Sequence, residues 1–63
     1  MKKFLEEAKK NGKKITVHTN GGEAYIHVML RDFDELGIAI SYTEATIPTL
    51  FPWNSIKDIE ILQ

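Results

Sequence analysis

The segment Asp32-Phe33-Asp34-Glu35-Leu36-Gly37-Ile38-Ala39-Ile40 contains the pattern that decides the fold. Residues 31–37 are mostly polar and predict a turn, because aspartate side chains readily bond the backbone amides of their own turn. From Ile38 the apolar residues alternate with a period of two, which predicts a β-strand with one buried face. The segment therefore joins two neighbouring strands.

The chain after this junction predicts two further strands. Residues 43–46 predict a turn, and residues 47–51 predict a strand that contains Pro48. A proline removes one donor from the strand ladder, so we expect this strand at an edge or in an irregular position. Pro52-Trp53-Asn54-Ser55 predicts a short turn, and residues 57–62 predict the last strand.

The N-terminal residues predict a short helix. Over residues 2–11, Phe4, Leu5 and Ala8 share one face at helical spacing. Gly12 then supplies the left-handed residue that commonly ends a helix. The apolar face is narrow, so we expect the helix to be stable only when it lies on another element.

A hairpin is predicted between the helix and the central turn. Apolar residues alternate from Ile15 to Asn20-Gly21-Gly22, which is a strong turn signal. With Gly21-Gly22 as the turn, Val17 faces Ile26 and Ile15 faces Val28. A turn at Asn20-Gly21 preserves the same parity, so both registers remain open.

Together these elements predict a mainly β fold in a single domain, residues 1–63. A short helix (2–11) precedes a five-stranded barrel (14–62), which we expect to be antiparallel because the short segments leave no room for parallel crossovers. We expect Phe33 to close one end of the barrel and the helix to cover another through Phe4 and Leu5. The inward-facing residues predicted from strand parity are Val17, Ile26, Val28, Leu30, Ile38, Ile40, Ile56, Ile59 and Ile61.

Composition limits the class of protein. The chain has 63 residues, of which 43% are apolar and 27% charged, as in ordinary folded domains. A core of this size is marginal, so we expect oligomerisation. No apolar run is long enough to predict a membrane span. The sequence lacks cysteine, which fits a cytoplasmic protein.

Charge is unevenly distributed along the chain. Residues 1–14 carry a net charge of +4 and residues 15–63 a net charge of −5, although the total is only −1. A basic end on an acidic body indicates where a polyanion could bind. A solvated helix with lysines for solubility explains the same pattern equally well.

The sequence offers little for catalysis or metal binding. It has no cysteine nucleophile, no Ser-His-carboxylate set and no phosphate-binding glycine loop. His18 and His27 are predicted on the outer side of the first hairpin, but two histidines without a third ligand make a poor zinc site. We therefore expect a non-enzymatic protein with no metal and no cofactor.

The order of these motifs resembles the Sm and Hfq family of small RNA-binding barrels. Asn20-Gly21 matches the turn after strand 1, and Leu30-Arg31-Asp32-Phe33-Asp34 matches the apolar-polar-polar-Phe-Asp hallmark. Ile38-Ala39-Ile40 matches the strand that follows. Pro52-Trp53-Asn54-Ser55-Ile56 stands where the Hfq branch has Tyr-Lys-His-Ala-Ile. The family's strand-2 glycine aligns with Val28, and the first hairpin is about two residues longer than usual.

The resemblance implies an SH3-like barrel that forms a homo-oligomeric ring and binds single-stranded RNA. Ring closure in the family pairs strand 4 of one subunit with strand 5 of the next, here residues 47–51 with residues 57–62. The loop that faces the pore corresponds to Asp34, Glu35 and Leu36. In the family, a polar residue of this loop bonds the edge of an RNA base, and a neighbouring side chain stacks on the aromatic ring of that base.

Two further sets of residues complete the candidate RNA site. Trp53 could stack on a base while Asn54 pairs with its edge, although a Trp in so small a chain is more often a packing residue. Lys9, Lys10 and Lys13 of the helix would neutralise phosphates. Because the family's basic pair is missing at Trp53-Asn54, the alternative is a protein-interaction or structural barrel that has lost RNA binding.

Overall fold

The structure, a computed structural model, describes residues 2–62; Met1 and Gln63 of the predicted domain lie outside this range. One helix and five strands form a mainly β fold, as the sequence predicts. The strands make one antiparallel sheet in the order β4-β3-β2-β1-β5. The elements are α1 (Lys2–Asn11), β1 (Lys14–Thr19), β2 (Ala24–Phe33), β3 (Gly37–Ser41), β4 (Thr49–Pro52), a one-turn 3₁₀ helix (Trp53–Ser55) and β5 (Ile56–Ile61).

Helix α1 ends as predicted, through a glycine in the left-handed region. Gly12 has φ +66°, and its N–H donates to the Lys9 carbonyl at 3.4 Å. The N–H of Lys13 donates to the Ala8 carbonyl at 2.9 Å, which completes a Schellman motif. The apolar face of the helix then packs on the sheet, where Leu5 and Ala8 are fully buried.

The last two strands differ from their predicted boundaries. Strand β4 begins after Pro48, so the predicted strand 47–51 is displaced to Thr49–Pro52. Strand β5 starts directly after the 3₁₀ turn and ends at Ile61, one residue earlier at each end than the predicted 57–62. Pro48 therefore removes no donor from the ladder, and Pro52 is the proline that lies within the edge strand.

The first hairpin has a three-residue turn, so both predicted two-residue turns are wrong. The N–H of Thr19 donates to the Glu23 carbonyl at 2.9 Å, which leaves Asn20, Gly21 and Gly22 as the loop. Gly22 has φ +89°. A three-residue hairpin places a left-handed residue at this position, which glycine adopts without strain.

A bulge in β2 changes which side chains face the core. Ile15 opposes Val28 as predicted, but Val17 opposes Tyr25 and not Ile26. The extra residue reverses the strand parity, so Ile26, predicted to point inward, is 57% exposed. His27 lies in the bulge with φ +56°, a left-handed conformation that is unfavourable for a residue with a side chain.

Further irregularities bend the sheet. β2 has a second bulge between Leu30 and Asp32, and the β1–β5 register shifts near His18. The bending brings non-adjacent strands together. The rings of Tyr25 on β2 and Phe51 on β4 lie with their centroids 5.1 Å apart, although β3 separates these two strands in the sheet. Bulges are the usual means by which a strand increases its local twist and turns a corner.

The buried core lies between α1 and the concave face of this sheet. Val17, Val28, Leu30, Ile38 and Ile40 are buried, as predicted. Ile56, Ile59 and Ile61 are only partly buried, because β5 is an edge strand of the sheet that residues 2–62 form. The fully assembled core consists of Leu5, Ala8, Ile15, Val17, Val28, Leu30, Ile38 and Ile40, with Phe4, Phe33, Tyr25, Phe51 and Trp53 packed against it.

Gly37 allows β3 and β4 to approach closely. A Cβ atom at this position would overlap the carbonyl oxygen of Phe51. The N–H of Trp53 donates to the Leu36 carbonyl at 3.1 Å, so the next pair, Gly37 and Pro52, is a non-hydrogen-bonded pair. Such pairs are the closer ones in an antiparallel ladder.

The bulge gives a direct test of the core. Ile40→Ala should lower the free energy of unfolding by about 2–5 kcal/mol, because it leaves a cavity among fully buried side chains. Ile26→Ala removes the same atoms from an exposed position and should change stability by about 0.5 kcal/mol or less. Chemical denaturation of both variants compares them. Equal losses would place Ile26 in the core and contradict the bulge.

The close approach at Gly37 gives a second test. Gly37→Ala should destabilise the chain by roughly 1–3 kcal/mol, since backbone atoms must move to accept the methyl group. Gly21→Ala is the matched control, because the only contact within 4 Å of its added Cβ is the Thr19 hydroxyl at 3.9 Å. Thermal melting by circular dichroism measures the difference. A Gly37 variant as stable as the Gly21 variant would disprove the close approach.

Candidate functional site

Trp53 bonds the 3₁₀ turn to the β2–β3 turn, and its partner Leu36 lies 17 residues earlier in the chain. Its indole Nε1–H donates to the Asp34 carbonyl at 2.7 Å, and its backbone N–H donates to the Leu36 carbonyl at 3.1 Å. The β2–β3 turn and the 3₁₀ turn are therefore fixed relative to each other. The candidate residues Asp34, Leu36 and Trp53 lie together, as a shared site requires.

A third turn meets the same end of the sheet. The backbone N–H of Asn20 donates to the Ser55 carbonyl at 2.9 Å, and its side-chain Nδ2 donates to the Asn54 carbonyl at 2.8 Å. The β1–β2 turn is thus bonded to the 3₁₀ turn. Asn20 is therefore a site-forming residue, although the sequence pattern predicts only a hairpin role for it. Its side-chain partner lies 34 residues away, so no local pattern indicates the bond.

The Asp34 side chain accepts hydrogen bonds from backbone N–H groups of its own turn. Its Oδ1 accepts hydrogen bonds from the N–H of Leu36 at 2.8 Å and of Gly37 at 3.2 Å. This arrangement is the local role that aspartate commonly has in turns. Glu35 and Leu36 are exposed beside it, and the Leu36 side chain is 76% exposed. The turn therefore presents two carboxylates, of which that of Asp34 has one oxygen bonded, and one apolar side chain to solvent.

The two residues of the 3₁₀ turn have different surroundings. Trp53 is half-buried and packs against the core cluster, with its only polar atom bonded inside the chain. Asn54 is exposed, and no hydrogen bond of its side chain is found among residues 2–62. Packing therefore accounts for the orientation of Trp53, while the Asn54 amide is available to a ligand.

An apolar groove of about 360 Å³ runs from these turns along β3 and β4. Leu50 of β4 is 76% exposed beside it. Asp32 and Asp34 are its charged lining residues, and a groove of this composition could contact the flat face of a base. We call it the β3–β4 groove; its apolar lining includes Phe33, Leu36, Ala39, Leu50, Phe51 and Pro52.

The three candidate lysines lie at a second groove, of about 480 Å³, between α1 and β2. Lys9, Lys10 and Lys13 line it with Arg31 and Glu44. We call it the basic groove. The sequence pattern assigns Arg31 only to the turn motif, but the residue lies in the second bulge of β2 and lines this groove. Its Nη1 donates to the Ser41 hydroxyl and to the carbonyls of Thr43 and Glu44, at 3.1–3.4 Å.

Asp32 lies between the two grooves. Asp32 lines the β3–β4 groove, and its carboxylate accepts a hydrogen bond from the Lys9 ammonium at 3.1 Å. This bond is the main cause that lowers the pKa of Asp32 below its usual value, and the bond from the Phe33 N–H is the second. Both partners are substantially exposed, so the pair contributes little to stability. One of the three lysines is therefore already paired within the chain.

The histidines belong to a separate surface. The Nε2 atom of His18 lies 3.0 Å from Glu60 Oε1 and 3.9 Å from Asp58 Oδ1, all partly exposed. His27 is exposed at the bulge. Within the described range no group of three or more His, Cys, Asp or Glu side chains is placed to hold a metal ion.

Two observations concern the whole chain. Helix α1, with 10 residues, is too short and too polar to cross a membrane, and residues 2–62 contain no other α-helix. No protein-family model matches the sequence, and no curated protein or solved structure was found to match it.

Proposed function

We propose that this chain is the subunit of an Sm-like ring that binds single-stranded RNA and has no catalytic role. The observation that carries the proposal is the strand order β4-β3-β2-β1-β5. It leaves β4 and β5, which are consecutive in the chain, as the two free edges of the sheet. Each subunit therefore offers one edge on either side, as head-to-tail ring assembly requires.

Barrel curvature is supported by contacts across the sheet. Tyr25 and Phe51 meet although β2 and β4 are not neighbours, and Asn20 bonds the Ser55 carbonyl where β4 turns into β5. These contacts bring β4 towards the start of β2, and the 3₁₀ turn towards the end of β1. A sheet bent in this way, capped by α1, is the arrangement expected for an Sm-like barrel.

The β4 edge has the properties of a pairing surface. Leu36 and Trp53 form a hydrogen-bonded pair, and hydrogen-bonded and non-hydrogen-bonded pairs alternate along an antiparallel ladder. The N–H groups of Phe51 and Thr49 therefore donate to β3, while the N–H of Leu50 points away from β3. Residues 45–56 contain no charged side chain. Lysines and other charges are common devices that block edge pairing, and this edge has none. Ile47, just before β4, is 87% exposed.

The RNA surface would combine the two grooves. Leu36 and Asn54 offer an apolar contact and an amide for a base edge, and the β3–β4 groove lies beside them. Lys10 and Lys13 in the basic groove would neutralise phosphates. In the proposed ring the residue 34–36 loop would face the pore, as the resemblance to Sm proteins implies, and one copy of this surface from each subunit would come together there. A cytoplasmic location is part of the same proposal.

One set of observations favours a second candidate, a protein-interaction barrel of the same fold that has lost RNA binding. The Oδ1 atom of Asp34 and the indole N–H of Trp53 are both hydrogen-bonded inside the chain. Lys9 is paired with Asp32, and residues 15–63 carry a net charge of −5. A surface with these properties attracts RNA weakly outside the helix.

Assembly can be tested with two leucines of equal exposure. Light scattering should show an oligomer at micromolar concentration. Leu50→Lys places a charge on the β4 edge and should shift the protein to smaller species, because a lysine there must be desolvated when strands pair. Leu36→Lys makes the same change at an equally exposed leucine outside the edge and should leave the oligomer intact. A monomeric unmodified chain would disprove the ring.

RNA binding can be tested by its salt dependence. Replacement of Lys9, Lys10 and Lys13 by Gln should weaken binding to a short homopolymeric RNA. The log–log salt slope should fall by about 0.7 for each phosphate that the variant no longer neutralises. Lys13→Gln and Lys57→Gln each remove one positive charge, but only Lys13 lines the basic groove. Only Lys13→Gln should therefore alter the slope. If the unmodified protein binds no RNA at low salt, the interaction-module candidate is favoured instead.

A further inference from the structure

The chain contains two Asn-Gly pairs, Asn11-Gly12 and Asn20-Gly21, in different backbone environments. A glycine after asparagine leaves the next backbone nitrogen unshielded, so it can attack the side-chain amide carbon. We propose that Asn20 is a site of spontaneous deamidation, and that its conversion removes the side-chain hydrogen bond from the β1–β2 turn to the 3₁₀ turn and leaves the backbone bond from residue 20 to Ser55 as their remaining hydrogen bond. This proposal does not depend on the proposed RNA binding.

The chemistry needs only water. The Gly21 nitrogen loses its proton to solvent base and forms a bond to Asn20 Cγ, and the Cγ–Nδ2 bond breaks so that ammonia leaves. The product is a cyclic imide. Water then adds to one of the two imide carbonyl carbons, and the C–N bond at that carbon breaks. Opening at one carbonyl gives aspartate and opening at the other gives isoaspartate, and neither outcome changes an oxidation state.

The hairpin pair is the more reactive by structure. Asn20 and Gly21 are exposed, and no hydrogen bond of the Gly21 N–H is found among residues 2–62. The Gly12 N–H instead donates to the Lys9 carbonyl, within the Schellman motif that ends α1. A hydrogen-bonded N–H is less available for deprotonation. The helix end also holds the Asn11 backbone in place, whereas a turn can rearrange.

The bond from Asn20 Nδ2 to the Asn54 carbonyl must open before attack. It is exposed, so water competes for both partners and the bond opens at low cost. The same bond gives the modification its consequence. A carboxylate has no N–H to donate, and it would face the Asn54 carbonyl oxygen with like polarity. Isoaspartate also lengthens the backbone by one carbon, which disturbs the turn from Thr19 to Gly22.

Deamidation at Asn20 would alter the 3₁₀ turn of the candidate site. The 3₁₀ turn would lose a hydrogen bond to Asn54, the residue whose side chain is available to a ligand. A further negative charge would also appear at the end of the sheet that already carries Asp34 and Glu35. Both effects act on the turn that holds Trp53.

The first experiment locates the modification. The full chain is incubated at physiological temperature and mildly alkaline pH, and peptide mapping by mass spectrometry follows the amide-to-acid mass change. Conversion is expected at Asn20 before Asn11. Gly21→Ala should abolish it while preserving the fold, because the added methyl group meets only the Thr19 hydroxyl at 3.9 Å. Faster conversion at Asn11, no conversion at Asn20, or an unaffected Gly21 variant would overturn the proposal.

The second experiment tests the consequence with a charge-matched pair. Asn20→Asp and Asn11→Asp each add one negative charge, but only the first removes the bond to Asn54. Amide hydrogen exchange at residues 53–56 should accelerate in Asn20→Asp and stay unchanged in Asn11→Asp. The emission of Trp53, the single tryptophan, should change in the same variant alone. Identical behaviour of the two variants would overturn the proposed effect of this bond on the 3₁₀ turn.

Discussion

The bulge at His27 is the constraint on which the rest of the structure depends. Strand β2 is the ten-residue strand that pairs with both β1 and β3, so its curvature sets the curvature of the sheet. The bulge places His27 at φ +56°, and it is the only non-glycine residue between 2 and 62 with a positive φ. The strain is tolerated because the bend lets Val28 and Leu30 face the same core as Ile15 and Val17. A flat β2 could not close around so small a core.

The Pro52–Ser55 segment has the corresponding role at one end of the sheet. It turns the chain from one edge strand to the other, and Trp53 and Asn20 bond it to the two neighbouring turns. A half-buried Trp with its N–H satisfied is a rigid support. In the proposed site its neighbours Leu36 and Asn54 would contact the ligand, because both are exposed on turns that hydrogen bonds hold together. The interpretation of Trp53 as a packing residue therefore strengthens the candidate site.

Electrostatics divides the surface into two parts. The lysines of α1 surround the basic groove, but Asp32 already binds Lys9, and the remaining sheet is acidic. Arg31 is bonded to the loop after β3, so it organises that loop more than it attracts a ligand. The uncharged segment of residues 45–56 forms β4 and the 3₁₀ turn. The surface proposed for assembly thus differs in character from the surface proposed for phosphate binding.

The sequence by itself determined the element order, the end of the helix at Gly12, and most of the core, because these depend on local periodicity and on residues with restricted backbone preferences. It also identified Asp34, Leu36, Trp53 and Asn54 as candidates. Only the tertiary structure decided the exposure of Ile26, because a bulge is an extra residue in one strand and leaves no mark on the alternation itself. The same holds for Gly37, whose need for a missing Cβ arises from Phe51 on another strand. The bonds from Asn20 to Asn54 and from Trp53 to Asp34 join distant turns, so only the bent sheet brings their atoms together.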